Sequence, residues 1–272
     1  MNKDFILEGW DLKKVPSPSF VLHLEMLEEN LKTIDKVRKD AGVEVIIALK
    51  ANATWPIFPL LAEHSDGATA SSLSEARLIA EEMKCKAHIY APVYMEEEFE
   101  EILSYSSHLT FNSLSQWKRY GERAMSAGVS CGLRINPEYS TVDTDLYNPC
   151  SPQSRLGVRR DALTDWPTGI EGLHFHALCE SRPNDLYNTL RAVEEKFGHF
   201  FSSLKWINLG GGHLITHKDY DENALIEILK DFKSRHPHLR IILEPGSAFT
   251  WDTGVLVSRV EDVLNNGGRN IM

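Results

Sequence analysis

The sequence predicts an α/β protein, a (β/α)8 barrel of parallel strands, on three observations. Short apolar segments recur eight times, stretches with helical spacing lie between most of them, and polar residues fall at the carboxyl end of one segment after another. In such a barrel the loops at the carboxyl ends surround a single open mouth, so polar side chains at those ends converge on one site. A doubly wound open sheet is the alternative arrangement of the same alternation.

The first segment, VEVIIAL (43–49), is mostly β-branched and ends in Lys50 and Asn52. DGATA (66–70) follows, ending in Ser71 and Ser72, and the helical stretch SLSEARLIAEEM opens with Ser72 and Glu75 at capping-box spacing. AHIYA (87–91) and HLTF (108–111) are the third and fourth segments, separated by YMEEEFEEILSY, whose acids are expected to form the solvated face of a helix. CGLRI (131–135) ends in Arg134 and Asn136, GLHFH (172–176) in His174 and His176, and WINLG (206–210) in Gly210, Gly211 and Gly212. The helical stretch ALIEILKDFKSRH then leads into RIILE (240–244), which ends in Glu244. The right-handed crossover rule makes parallel pairing the natural result.

Composition narrows the function. The chain has 272 residues, 42% hydrophobic and 25% charged, enough for a full core. No apolar run approaches the roughly 20 residues of a membrane span, and the start MNKDFILEGWDLKK lacks a signal-peptide centre, so a cytoplasmic location without a membrane partner is expected. Four cysteines without CxxC spacing indicate neither a disulfide framework nor a zinc site. Thirty-nine acidic against 29 basic residues leave a net charge of −10, which argues against nucleic acid and suits a cationic partner.

The strand-end residues have a chemistry in common. A lysine closing a buried strand loses hydration, gives up its proton readily and becomes a nucleophile toward aldehydes; the plain alternative is that the strand stops at Leu49 and Lys50 points to water. Three glycines leave backbone N–H groups open to a phosphate, and EPGS (244–247) adds a second glycine turn beside a carboxylate. A phosphate cradle, a lysine, a histidine and a glutamate are the parts of a pyridoxal 5′-phosphate site, and this set requires no metal. Of the two histidines, His176 is expected to look into the mouth and His174 to pack among the helices.

ALKAN, GLHFHALCES, INLGGG and EPGS, in that order, resemble the fold-type III pyridoxal-phosphate enzymes, which include alanine racemases and the ornithine and diaminopimelate decarboxylases. Within them, ALKANATWPIFPLL, DGATASSLSEARL, NPCSPQSRLGV and INLGGGHLIT are most similar to the carboxynorspermidine/carboxyspermidine decarboxylases, from about Ser17 onward. The resemblance implies that Lys50 holds the cofactor covalently, that His176 stacks on its ring, that Gly211, Gly212 and the turn at Gly246 hold its phosphate, and that Glu244 pairs with its ring nitrogen. It implies decarboxylation of a carboxylated polyamine by a homodimer. A diaminopimelate or basic amino acid decarboxylase is the nearest alternative, and a single-barrel pyridoxal-phosphate carrier a non-enzymatic one. It also implies a second, β-rich domain built from both chain ends. Residues 1–27 are expected to contribute one strand to it, 28–250 to form the barrel and 251–272 to begin the rest; SPSFVLHL (17–24) and TGVLVSRVEDVL (253–264) read as its first strands. With most of that domain beyond Met272, the 272 residues alone are expected to associate and to be poorly active.

Overall fold

In the computed structural model, which describes residues 10–142 and 144–272, the apolar run from Val43 to Leu49 divides its hydrogen bonds between two neighbours. After β1 (Ser19–Leu22) and α1 (Leu24–Ala41), it forms β2 (Glu44–Val45) and β3 (Ile47–Ala48). β2 pairs in parallel with β10 (Arg240–Leu243), and β3 with β4 (Ala68–Ala70). Ile46 N–H donates to Leu243 O at 2.9 Å and Ile47 N–H to Gly67 O at 3.1 Å, so the switch of partner falls between adjacent residues. The sheet is thereby closed rather than doubly wound. Its remaining staves, all parallel, are β5 (Ala87–Tyr90), β6 (Ser106–Phe111), β7 (Ser130–Arg134), β8 (Gly172–His174) and β9 (Trp206–Asn208). All eight expected segments are present.

The helices have local causes. Along α1, Leu27, Leu31, Ile34, Val37 and Ala41 form one buried stripe, and Gly42 ends the helix in a left-handed conformation at φ 62°. Ser72 caps α2 (Leu73–Leu78) by accepting from Glu75 N–H at 3.2 Å, while the Glu75 carboxylate accepts from Ser71 N–H. α3 (Glu96–Tyr105) has the expected solvated acidic face, with Phe99, Ile102 and Leu103 buried opposite; on the acidic face Glu96, Glu100 and Glu101 pair with Arg119, Arg123 and Arg77 of the flanking helices.

Strand parity sorts the core into two compartments. Val45, Ile47, Leu133, Leu173, Phe175, Ile207, Leu209, Ile241 and Leu243 join the large cluster between strands and helices. Ile46, Trp206 and Ile242 form a separate cluster inside the barrel. Gly132 and Gly172 make room for the indole, since a Cβ on either would stand 2.3 or 2.0 Å from Trp206. Trp206 Nε1 donates to Ser130 Oγ at 2.9 Å, and His108 meets the indole edge-on at 5.4 Å while stacking on His88 at 3.9 Å. This layer fills the amino end of the barrel and leaves its cavity to the carboxyl end.

Outside the barrel, β1 pairs antiparallel with β11 (Gly254–Val257). The expected strand over 253–264 is shorter than its sequence pattern: the ladder ends at Ser19↔Val257, because the next partner is Pro18, which has no N–H to donate. A separate hairpin of β12 (Leu264–Asn266) and β13 (Arg269–Ile271) follows. Residues 1–9 of the expected N-terminal segment lie outside the described residues.

Candidate active site

Three loops are pressed together at the carboxyl end. Glu244 N–H donates to Gly210 O at 2.8 Å, Ala48 N–H to Pro245 O at 3.3 Å, and Ser181 N–H to Gly212 O at 2.7 Å. A Cβ on Gly211 would lie 2.3 Å from Glu244 O, and one on Gly246 2.4 Å from Ala51 Cβ. The glycines are therefore required for close approach: they bring the Lys50 turn, the triple-glycine loop and the EPGS turn into one rim.

Lys50 differs from expectation. β3 ends at Ala48, and Lys50 lies in a 3₁₀ turn (Leu49–Ala51) with its side chain exposed, because the turn lifts it out of the strand pleat. The mouth still governs it: desolvation pushes its pKa below the ordinary lysine value, Arg134 pushes the same way and Glu244 opposes both.

Glu244 lies at the floor, 5% exposed. Asn208 Nδ2 donates to its Oε1 at 2.7 Å, and His174 Nε2 is 3.8 Å from its Oε2. Burial raises the carboxyl pKa, against the lowering effects of the Asn208 hydrogen bond and the Lys50 charge. Arg134 stacks its guanidinium over Tyr90 at 4.7 Å and donates to His176 O at 3.1 Å.

His174 is a correction. It lies inside the barrel, 1% exposed and edge-on to Tyr90 and His176, not among the helices. Residues two apart on a strand share a face, so Gly172, His174 and His176 all point inward while Phe175 packs outward. Burial holds both imidazoles far below the usual histidine range and hence neutral.

Gly211 is the second correction. Its N–H, expected to be free for phosphate, donates to His176 Nδ1 at 3.2 Å because the glycine loop folds down onto the ring. Among the described residues no protein group accepts from the N–H of Gly212 or of buried Gly246. Those two donors remain for an anion, and with Lys50 and Glu244 they fit pyridoxal 5′-phosphate. His174, His176 and Glu244 also bring one ligand atom each within 4.8 Å of one another, a spacing open to a metal ion. The Gly211 bond argues against an ion: with Nδ1 accepting, the neutral His176 ring carries its proton on Nε2, and neither nitrogen has a free lone pair.

Asn208, Tyr90 and Thr69, all beside Glu244, are not marked by the strand-end pattern. Inward parity along each strand was the available signal. His213, buried beyond the glycines with both ring nitrogens unpartnered, was likewise missed.

A mouth of this kind belongs to enzymes that hold an aldehyde cofactor at the carboxyl end of a parallel barrel. Residues 24–251 match the family model described as pyridoxal-dependent decarboxylase, pyridoxal binding domain, and the chain belongs to that family. It is 49% identical over 260 residues to a carboxyaminopropylagmatine decarboxylase of Synechocystis, covering 95% of this chain and 67% of that protein. It is 39% identical over 255 residues to a carboxynorspermidine/carboxyspermidine decarboxylase of Campylobacter jejuni, covering 93% and 66%. The crystal structure of the C. jejuni carboxynorspermidine decarboxylase complexed with norspermidine superposes with a TM-score of 0.84 at 37% identity, over 93% of this chain and 66% of that one. The chain thus spans about two thirds of these relatives' length.

Proposed function

We propose that the protein decarboxylates a carboxylated polyamine, carboxynorspermidine or carboxyspermidine, to norspermidine or spermidine and CO2. The observation that carries this reading is the buried, hydrogen-bonded Glu244 on the barrel floor, in a chain 39% identical to an enzyme of that name. Pyridoxal 5′-phosphate, when bound, supplies a sink for the electron pair released as the Cα–carboxylate bond breaks. Lys50 would hold the cofactor through its amine. Glu244 would keep a proton at the cofactor's ring nitrogen, His176 would cover one ring face, and the N–H groups of Gly212 and Gly246 would take its phosphate. Gly211 contributes by fixing His176. The net charge of −10 favours a polycationic substrate through its field.

The 49% identity to a carboxyaminopropylagmatine decarboxylase supports a second reading, a substrate ending in a guanidinium instead of an ammonium. Rates of CO2 release from carboxynorspermidine, carboxyspermidine, carboxyaminopropylagmatine and diaminopimelate, measured side by side, separate the readings. A carboxylated polyamine is expected to lead diaminopimelate by about tenfold or more in kcat/KM, roughly 1.4 kcal/mol. A lead for diaminopimelate would overturn the proposal.

The same reading places residues 28–250 in the cofactor barrel, and 1–27 with 251–272 in a second β-domain. Its support is the β1–β11 pair, whose partners Phe20 and Leu256 are 78% and 58% exposed. We take the working form to be a cytoplasmic homodimer. Among the described residues no helix is long and apolar enough to cross a membrane.

A further inference from the structure

His174 has no assigned task, yet it occupies the most enclosed part of the site. Its ring is 1% exposed, and neither Nδ1 nor Nε2 has a hydrogen-bond partner. A buried imidazole must carry a proton on one nitrogen, and an N–H taken out of water without an acceptor is a net loss. Nε2 faces Glu244 Oε2 at 3.8 Å, just beyond hydrogen-bond range, and a small ring rotation closes the gap. On the other side of the carboxylate, Oε1 already takes Asn208 Nδ2 at 2.7 Å.

We propose that His174 is a positioning residue: its Nε2–H donates to Glu244 Oε2 and, with Asn208 on Oε1, holds that carboxylate ionised and in one orientation on the barrel floor. The inference rests on the role proposed above for Glu244. It acts on Glu244 itself, because desolvation favours the neutral acid and each N–H donor favours the anion. Besides Asn208 of β9, the carboxylate faces Lys50 from the turn after β3, Thr69 from β4, Tyr90 from β5, Arg134 from β7, and His174 and His176 from β8 and its end. The cations act through their fields; His174, held neutral, acts as a donor and therefore depends on where its nitrogen lies.

The test compares wild type, His174→Phe and His174→Gln as cofactor-free protein. The Glu244 carboxyl is followed by 13C NMR across pH and assigned with Glu244→Gln. Loss of the donor in His174→Phe is expected to raise the Glu244 midpoint by about one pH unit, roughly tenfold in the protonation equilibrium. His174→Gln, whose amide nitrogen reaches near the place of Nε2, is expected to restore it to within about 0.3 unit. An unchanged midpoint in His174→Phe, or an equal rise in both variants, overturns the proposal. Should His174→Phe not fold, His174→Asn replaces it: its shorter amide cannot reach, so it must shift where Gln does not, and equal midpoints count against the role. Because the titration uses neither cofactor nor substrate, a wrong substrate leaves it standing, whereas the wild-type substrate comparison fails independently of it.

Discussion

Asn208 Nδ2 donates to Glu244 Oε1 at 2.7 Å with both residues inside the barrel, so the carboxylate on which the proposed chemistry depends is fixed from the neighbouring strand. Asn208→Ala leaves that oxygen desolvated without its donor. A loss of about 1–3 kcal/mol in urea unfolding is expected, with a further rise in the Glu244 pKa. Glu244→Ala removes the group itself and is expected to slow decarboxylation far more than it weakens cofactor binding. Equal losses in turnover and in cofactor affinity would contradict its assignment to the ring nitrogen.

Lys50 extends from a turn instead of supporting a strand, so its removal should be structurally silent. Lys50→Ala is expected to unfold at the wild-type temperature. After borohydride reduction in the presence of the cofactor, the wild type should carry a covalent pyridoxyl mass on the Lys50 peptide and the variant none there. A label retained by the variant at another lysine of the mouth would show that the wrong amine was chosen.

Gly212 separates cradle geometry from backbone strain. It has φ +89°, and a Cβ there would stand 2.3 Å from Leu178 O and 2.9 Å from Cys179 N, both backbone atoms. Gly128 also has positive φ, +72°, but a Cβ would meet nothing within 4 Å. Gly128→Ala is expected to cost about 1 kcal/mol, the strain alone. Gly212→Ala must cost more and also displace the free N–H, lowering cofactor affinity about tenfold or more, as read by fluorescence titration. Equal affinity in the two variants would remove Gly212 from the phosphate site.

Trp206 closes the other end of the barrel. Trp206→Ala opens a cavity lined by Gly132 and Gly172, neither of which has a side chain to fill it, and should cost about 3–5 kcal/mol by urea unfolding. Gly172→Ala, which drives a methyl into the ring, should also destabilise. The double variant should recover part of the loss, because the new methyl then occupies the vacated space. Additive losses would mean that the two residues do not share that volume.

The eight strands, and the gathering of most candidate residues at one end of the barrel, could be read from the sequence because their signals are local: an apolar run, then a lysine, a glycine triplet or a glutamate. Asn208 was overlooked for the opposite reason. It lies within WINLG, where nothing local distinguishes an inward asparagine at the floor from a solvated one. The inward place of His174 follows from strand parity, since it stands two residues from Gly172, which faces Trp206. That contact is made between register partners on neighbouring strands, β8 and β9, 34 residues apart in sequence, and leaves no local mark. The burial of Lys50 was overestimated because an apolar run does not reveal that the chain turns one residue before the amine. Gly211 was assigned a free donor because a glycine loop discloses its freedom of approach, not which neighbour, here His176, takes the N–H.

Buried imidazoles should make the barrel acid-sensitive. Burial pushes His213 and His108 down to about 4 and holds His88, His174 and His176 well below the usual range. In the unfolded chain each returns to about 6.5. The folded pKa is the lower one, so these groups favour folding while both states are neutral, above about pH 6.5. As pH falls from there toward 4, the unfolded chain takes up protons that the folded barrel refuses, and stability declines by about 1.4 kcal/mol per pH unit for each such histidine. The urea midpoint should therefore fall steeply between about pH 6.5 and 4, before most carboxylates titrate. His213→Asn removes one of these protons and should reduce the slope by about one histidine's share, even if the substitution lowers stability at neutral pH. A flat urea midpoint across that window would mean that the imidazoles are hydrated in solution and that the barrel floor is open to water.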